Sequence, residues 1–409
     1  MQKSIVCDPS QRLVSLDAFR GFTMLLMASG AFGLSQVATQ FPNSAAWHFI
    51  GEQFSHAPWR GGGLWDMIQP AFTFMVGVSM TYSYARRREL GQSSRHMLAH
   101  AAYRAVVLVM LGVLLRTRWT FEDVLSQIGL GYLFLFLLWS RPTKVILSAT
   151  VAILLGYWAL FASWPLPPAG YDYNAVGVSA GWATEHDFTG FAAHWNKNAN
   201  PAHYFDVWFL NLFPQRQAFT HNGGGYQTLS FIPSLATMLI GLLAGGLLRS
   251  ERSSKTKVTR LVAYGAAALL AGLLLDATGI CPIVKRIWTP AWTLYSAGWV
   301  IFTLAAFYSV VDVYRYRAWA WIGVVVGLNS IAMYVMSGLV KGWVGRALHG
   351  AFGEEVFTLF DRVVETVGEN GTIVEHTITY EPVVSRVVVL AVLWFFCWRL
   401  YRNRIFFRI

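Results

Sequence analysis

The chain has 409 residues, 55% of them hydrophobic and only 13% charged, with a formal net charge of +11 and a mean hydropathy of +0.43. Those values exceed what a soluble surface uses and exclude an ordinary globular domain or a disordered chain. Apolar blocks close to the ~20 residues needed to cross a bilayer recur along nearly the whole sequence. The fold class expected is all-α, a polytopic membrane helix bundle forming a single transmembrane domain over residues 1–409.

About ten spans are predicted, at residues 13–38, 64–84, 97–115, 122–140, 144–161, 228–248, 258–276, 291–312, 319–341 and 384–403. Runs such as AAYRAVVLVMLGVLL lack the alternation of barrel strands, so the spans are read as helices. The first is long and carries Asp17 and Arg20, which marks it as a retained span, not a cleaved signal. Those two residues stand three apart on one helical face, beside Gly21 as a close-packing point. They form an internal ion pair, or Arg20 lies on the cytoplasmic route of an anionic ligand, since a guanidinium suits phosphate.

Basic residues gather in alternate connections: Arg86, Arg87, Arg88 and Arg95; Arg141 and Lys144; Arg249, Arg252, Lys255, Lys257 and Arg260; Arg315 and Arg317; Arg402, Arg404 and Arg408. By the positive-inside rule these faces are cytoplasmic, and Lys3 and Arg12 place the N-terminus there too. Both termini inside require an even number of crossings. The charge then reflects topology and contact with anionic membrane lipid, with no nucleic-acid partner implied. Residues 39–63, 162–227 and 342–383 fall outside.

The first outer loop ends in HAPWRGGGLWDMIQPAFTFMVGVSM, where His56 and Asp66 stand ten residues apart around a glycine-rich turn at the mouth of the bundle. There the aspartate can orient the imidazole and support its charge. The second loop, rich in Trp, Tyr, His, Asn and Gly, suits stacking on sugar rings or a packed lid. Its His194, His203 and His221 have no carboxylate at a telling spacing and are assigned no chemistry. The third contains RVVETVGENGTIVEHTITY, two alternating runs around Asn370-Gly371 that predict a small β-hairpin outside the membrane. Cys7 and Cys397 fall near one face and Cys281 near the other, so no disulfide is expected. No metal-ligand spacing and no internal repeat is found.

RLVSLDAFRGF followed by HAPWRGGGLWDMIQPAFTFMVGVSM resembles the catalytic core of the heparan-α-glucosaminide N-acetyltransferase family, transmembrane acetyl-CoA-dependent acyltransferases with bacterial relatives. SFIPSLATMLIGLLAGGLLRS, CPIVKRIWTPAWTLYSAGW and GLNSIAMYVMS are similar to later family blocks in the same order. The resemblance implies transfer of acetyl from cytosolic acetyl-CoA to the amine of a glucosamine-type sugar on the far side of the membrane. His56 aligns with the family's active-site histidine and Asp66 with the acid that follows it. Trp59, Lys285 and Trp288 are then expected on the sugar side, with Lys285, Arg286 and Trp288 suited equally to an acidic sugar or to lipid headgroups. Arg20 and Asn329 are expected on the acetyl-CoA side, Asn329 either against the pantetheine amides or in a helix-packing hydrogen bond.

Two departures stand out. Ala31 occupies the apparent position of an asparagine of the lysosomal enzyme, with Ser29 nearby as the remaining polar residue. The chain also lacks the lumenal domain and additional span before the core, which points to a multi-pass protein of a bacterial inner membrane. A homo-oligomer is compatible with this organisation. The alternatives are O-acetylation of an envelope polysaccharide, and a transporter of sugars or small anions in which Asp17, Arg20 and Asp66 act in coupling.

Overall fold

A computed structural model describes residues 13–168, 170–367 and 373–407, and it is predominantly helical. Lys3, Cys7, Arg12, Asn370, Gly371 and Arg408, used above for topology, thiols and the hairpin, lie outside the described residues. Among those described, six helices are long and apolar enough to cross a bilayer: Ser94–Arg116, Thr143–Ala162, Thr228–Arg249, Ser254–Ala277, Pro290–Val313 and Glu381–Arg402. Two bent pairs raise the number to eight if each is one span: Val14–Ser29 with Ala31–Ala38, at 51°, and Trp321–Gly327 with Ser330–Leu339, at 78°. The chain is a multi-pass helical membrane protein. The other two segments expected to span are helical but fall short of the same criteria. Val124–Leu138 has only 15 residues, and Ile68–Glu89 ends on Arg86, Arg87 and Arg88 after an interior diluted by hydroxyls.

Local chemistry explains where the helices start and break. Ser93 and Asp123 accept the His96 and Leu125 N–H groups at the starts of their helices, satisfying donors that have no intrahelical partner. The first helix has no side-chain cap of its own. The carboxylate of Asp312, nearly 300 residues away, accepts the Val14 and Ser15 N–H groups at 3.3 and 3.2 Å instead. That helix breaks where Gly30, Ala31, Phe32 and Gly33 all take positive φ, a conformation that stops a right-handed helix and strains the two non-glycine residues.

Within the single domain expected from the sequence, packing separates two compact units, residues 13–33, 254–258 and 302–407, and residues 34–253 and 259–301. In the first, Val14–Ser29 packs on Trp321–Gly327 at backbone contact. A Cβ on Gly21 would overlap the Gly323 carbonyl, and one on Gly327 the Asp17 carbonyl. The expected close-packing role of Gly21 is borne out. This unit also holds an antiparallel strand pair, Arg362–Val367 with Ile373–Ile378, in register from Arg362 opposite Ile378 to Val367 opposite Ile373.

In the second unit Ile68–Glu89 packs on Phe231–Arg249 by the same device, with Gly77 against the Met238 carbonyl and Gly241 against the Phe74 carbonyl. Small residues at such crossings let backbones approach where no hydrophobic force drives helices together. Gly77→Ala is therefore expected to destabilise the protein by about 1–3 kcal/mol, the usual cost of overpacking. Gly246→Ala, where an added methyl meets open space, serves as the neutral control. Thermal unfolding in detergent measures both, and equal melting temperatures would show that the crossing relaxes freely.

Candidate active site

The second unit gathers several loops around a buried aromatic cluster that includes Trp59, Tyr157, Phe161, Trp195, Trp288 and Trp292. Over this floor the chain leaves the helix Ala45–Gln53, crosses His56 to Gly63, and enters a 3-10 turn, Leu64–Met67, that leads into Ile68–Glu89. The glycines of the turn are dictated by contact. A side chain on Gly62 would meet the Trp292 ring, and one on Gly63 the Glu52 carbonyl oxygen.

This loop wraps around one carboxylate. Asp66 has no solvent exposure. Its Oδ2 accepts the Ala57 N–H at 3.1 Å and the Gly63 N–H at 3.3 Å, while Oδ1 lies 2.6 Å from His56 Nδ1. Lys285 Nζ donates to the same Oδ1 at 2.7 Å, and its side chain is only 8% exposed. A buried charge is tolerated when it is paired and fully hydrogen-bonded, and removing one partner of such a pair costs about 3–5 kcal/mol. Burial pulls the Lys285 pKa down, and the attraction of Asp66 opposes that shift.

A backbone bridge brings the two halves of the ion pair together. Arg60 and Gly61 pair with Val284, and the Gly61 N–H donates to the Ile283 carbonyl at 2.8 Å. The loop carrying Lys285 is itself stapled by Thr289, whose hydroxyl donates to the Pro282 carbonyl at 2.7 Å and accepts the Val284 and Trp292 N–H groups. Arg286 then donates to the Ala57 and Gly224 carbonyls at 3.2 and 2.7 Å and sits over the Tyr226 ring.

His56 is the open member of the group. Its side chain is 44% exposed although Asp66 is sealed, and the Trp65 ring lies 6.2 Å from its own. A proton on Nδ1, donated to Asp66, leaves the Nε2 lone pair on the accessible edge. This tautomer is assigned from the hydrogen-bond network. The arrangement suits a general base or a nucleophile held by a carboxylate behind it.

The structure thus brings together His56, Asp66 and Lys285 of the residues singled out from the sequence. Lys285 faces the carboxylate instead of an open sugar or headgroup surface. Trp59 and Trp288 are 1% and 2% exposed, and their indole N–H groups donate to the Trp195 carbonyl and the Thr237 hydroxyl, so they form the floor beneath the site. Arg20 and Asn329 belong to the other unit. There Arg20 reaches the Gly327 carbonyl at 3.5 Å. Asn329 spends its amide on the chain end, donating to the Ile405 carbonyl and accepting the Phe407 N–H, which favours the packing role over a ligand contact. Sequence reading noted Arg286 without its role as a backbone clamp, and missed the Ala57 and Gly63 N–H donors, for which only the glycine run was a signal.

Residues 12–179 match the family model for heparan-alpha-glucosaminide N-acetyltransferase, catalytic. The match contains His56 and Asp66, and Lys285 lies beyond it. The chain is also 24% identical to the human (Homo sapiens) heparan-alpha-glucosaminide N-acetyltransferase over 97% of its own length, and 24% identical to the mouse (Mus musculus) enzyme of that name over 80%. It spans 60% and 53% of the lengths of those relatives. The resemblance carried by the motifs is therefore reproduced by two independent comparisons.

Set against that family, the position noted for its asparagine holds Ala31 in the left-handed turn, with φ of 61°. Asparagine is one of the residues best tolerated there after glycine. The nearby Ser29 hydroxyl donates to the Leu26 carbonyl in its own helix at 2.6 Å.

The long loop turns its polar residues inward. Asn196 bonds both backbone groups of Phe188, Asn198 donates to the Val176 and Asn222 carbonyls, and Asn200 caps Pro201–Leu210. These contacts make the loop a packed element. Within it Asp206 accepts the Thr228 N–H at 2.9 Å through one oxygen while the other has no partner, and burial raises its pKa to about 7. The folded state thus holds this proton more tightly than the unfolded chain, so the contribution of Asp206 to stability falls as pH rises from about 4 towards 7. Nearby His203, lowered to about 4 by burial, acts in the opposite sense. The melting temperature of Asp206→Asn relative to the parent should therefore climb between pH 4 and pH 7. A constant difference across that range would mean that Asp206 titrates normally.

Proposed function

We propose that the protein transfers an acetyl group from cytosolic acetyl-CoA to the amine of a glucosamine-type sugar across the membrane. The observation that carries this reading is the partly exposed His56 imidazole held through Nδ1 by a sealed carboxylate, inside the segment that matches a catalytic family model. In this reading Nε2 of His56 removes a proton from the amine as nitrogen bonds to the acetyl carbonyl carbon. The carbon–sulfur bond breaks, and the departing thiolate takes up a proton. The donor supplies an activated acyl thioester. Asp66 orients the ring and stabilises the imidazolium, as an orienting acid does behind a general base. Trp59 and Trp288 keep the floor under the sugar dry, and the guanidinium of Arg20 has the charge and geometry that suit the phosphates of the donor, which cannot enter hydrocarbon unaided.

His56→Ala should abolish transfer of radiolabel from acetyl-CoA to glucosamine while membrane abundance stays near that of the parent. Asp66→Asn should lower turnover by roughly 10²-fold or more, within the range of general acid–base catalysis, and well beyond any loss of folded protein. Near-normal turnover by a well-inserted His56→Ala protein would remove His56 from the chemistry.

The proposed topology has ten crossings, counting both bent pairs, Val124–Leu138 and Ile68–Glu89, with both termini cytoplasmic and the strand pair outside. It rests on the alternation of basic connections and suits a bacterial inner membrane. Sealed right-side-out vesicles loaded with acetyl-CoA should acetylate external glucosamine that never enters. Inverted vesicles should need donor outside and sugar inside. Equal activity of inverted vesicles with both substrates outside would defeat cross-membrane transfer, and labelling of cysteines introduced at residues 86–96 and 170–200 tests the orientation separately.

A further inference from the structure

Lys285 Nζ lies 3.2 Å from His56 Nδ1 as well as 2.7 Å from Asp66 Oδ1. One ring nitrogen cannot satisfy both neighbours. With its single proton donated to Asp66 at 2.6 Å, Nδ1 has no lone pair left for the ammonium, so the contact at 3.2 Å is a cation held against an N–H donor, both aimed at the same carboxylate oxygen. An imidazolium at this position would stand against that ammonium.

From this geometry we infer that Lys285 is a positioning residue, which acts through Asp66 and its own charge to keep His56 neutral with the proton on Nδ1 and Nε2 free to accept. Asp66 alone would favour the imidazolium, because an opposite charge in contact stabilises the charged form, and a like charge opposes it. The lysine sets the balance. The other charged groups near the ring are placed differently: Arg286 is spent on the Ala57 and Gly224 carbonyls over Tyr226, and Glu52 turns to His48 at 3.7 Å. Asp66 and Lys285 are the pair in direct contact with the imidazole. This assignment takes its purpose from the acyl-transfer reading, but the state of the ring can be measured without any turnover.

The test is the rate of carbethoxylation of His56 by diethylpyrocarbonate, a reagent for neutral imidazole, followed between pH 5 and 8 by mass spectrometry of the peptide carrying His56. In Lys285→Met the midpoint of this rate should rise by about one pH unit or more, and in Asp66→Asn it should fall. Lys285→Arg should stay close to the parent. If Lys285→Met does not accumulate in membranes, the Asp66→Asn/Lys285→Met double variant read against Asp66→Asn alone should show the same upward movement. A midpoint unmoved by loss of Lys285 in both backgrounds would overturn the assignment and leave the lysine as a packing counter-ion. Because no acetyl transfer is monitored, a failed acetyltransferase assay and a failed lysine test remain separate results.

Discussion

A carboxylate sealed from water must collect its full set of partners from the protein, and the loops of the second unit are arranged around that demand. Asp66 takes two backbone N–H groups, an imidazole and a lysine. Each partner comes from a piece of chain that has to be brought to it. The glycine run lets the backbone close around the acid, the bridge at Val284 delivers Lys285, and Arg286 ties the histidine loop to the segment near Gly224. Breaking a buried pair of this kind costs more than making it gains, so the group resists partial assembly.

The surroundings give the site its chemical character. Four buried tryptophans and two further buried aromatic rings lie under the loops, with the Trp59 and Trp288 N–H groups and the Tyr157 hydroxyl hydrogen-bonded to the protein. Water is thereby kept from one side of the group while His56 retains an open edge. A low-dielectric floor strengthens the interactions among imidazole, carboxylate and ammonium, and a small change at any one of them is felt by the others.

The membrane imposes a second constraint, visible in both units. Helices cross at glycines where backbone meets backbone, and two of the apolar helices are broken partway. The first break stacks four left-handed residues, and the side chain of Arg386 donates to the Gly30 carbonyl there, which supplies a partner that the interrupted helix no longer provides. Irregular backbone interrupting a membrane helix is tolerated where its polar groups are satisfied by protein.

Much of the architecture was legible because the relevant patterns are local. Apolar run length marks a membrane helix without reference to the rest of the chain, and the His56 to Asp66 spacing sits within a single loop whose glycines announce a tight turn. Gly21 was likewise readable from its place beside Asp17 and Arg20. Tertiary structure decided the partners that lie far apart in sequence. Lys285 is 219 residues from Asp66, and a lysine in an outer connection reads equally well as a headgroup anchor until the chain path presses it onto a carboxylate. Trp59 and Trp288 were expected on the sugar side, Trp288 equally against lipid headgroups, and both are buried in the floor instead, because the segments that carry them pack on each other through the bridge at Val284. Asn329 was ambiguous for the same reason: its amide could serve a ligand or a neighbour, and its bonds to Ile405 and Phe407 favour the neighbour. Periodicity and spacing specify what a segment is, whereas the counter-ion of a buried charge depends on which segments finally meet.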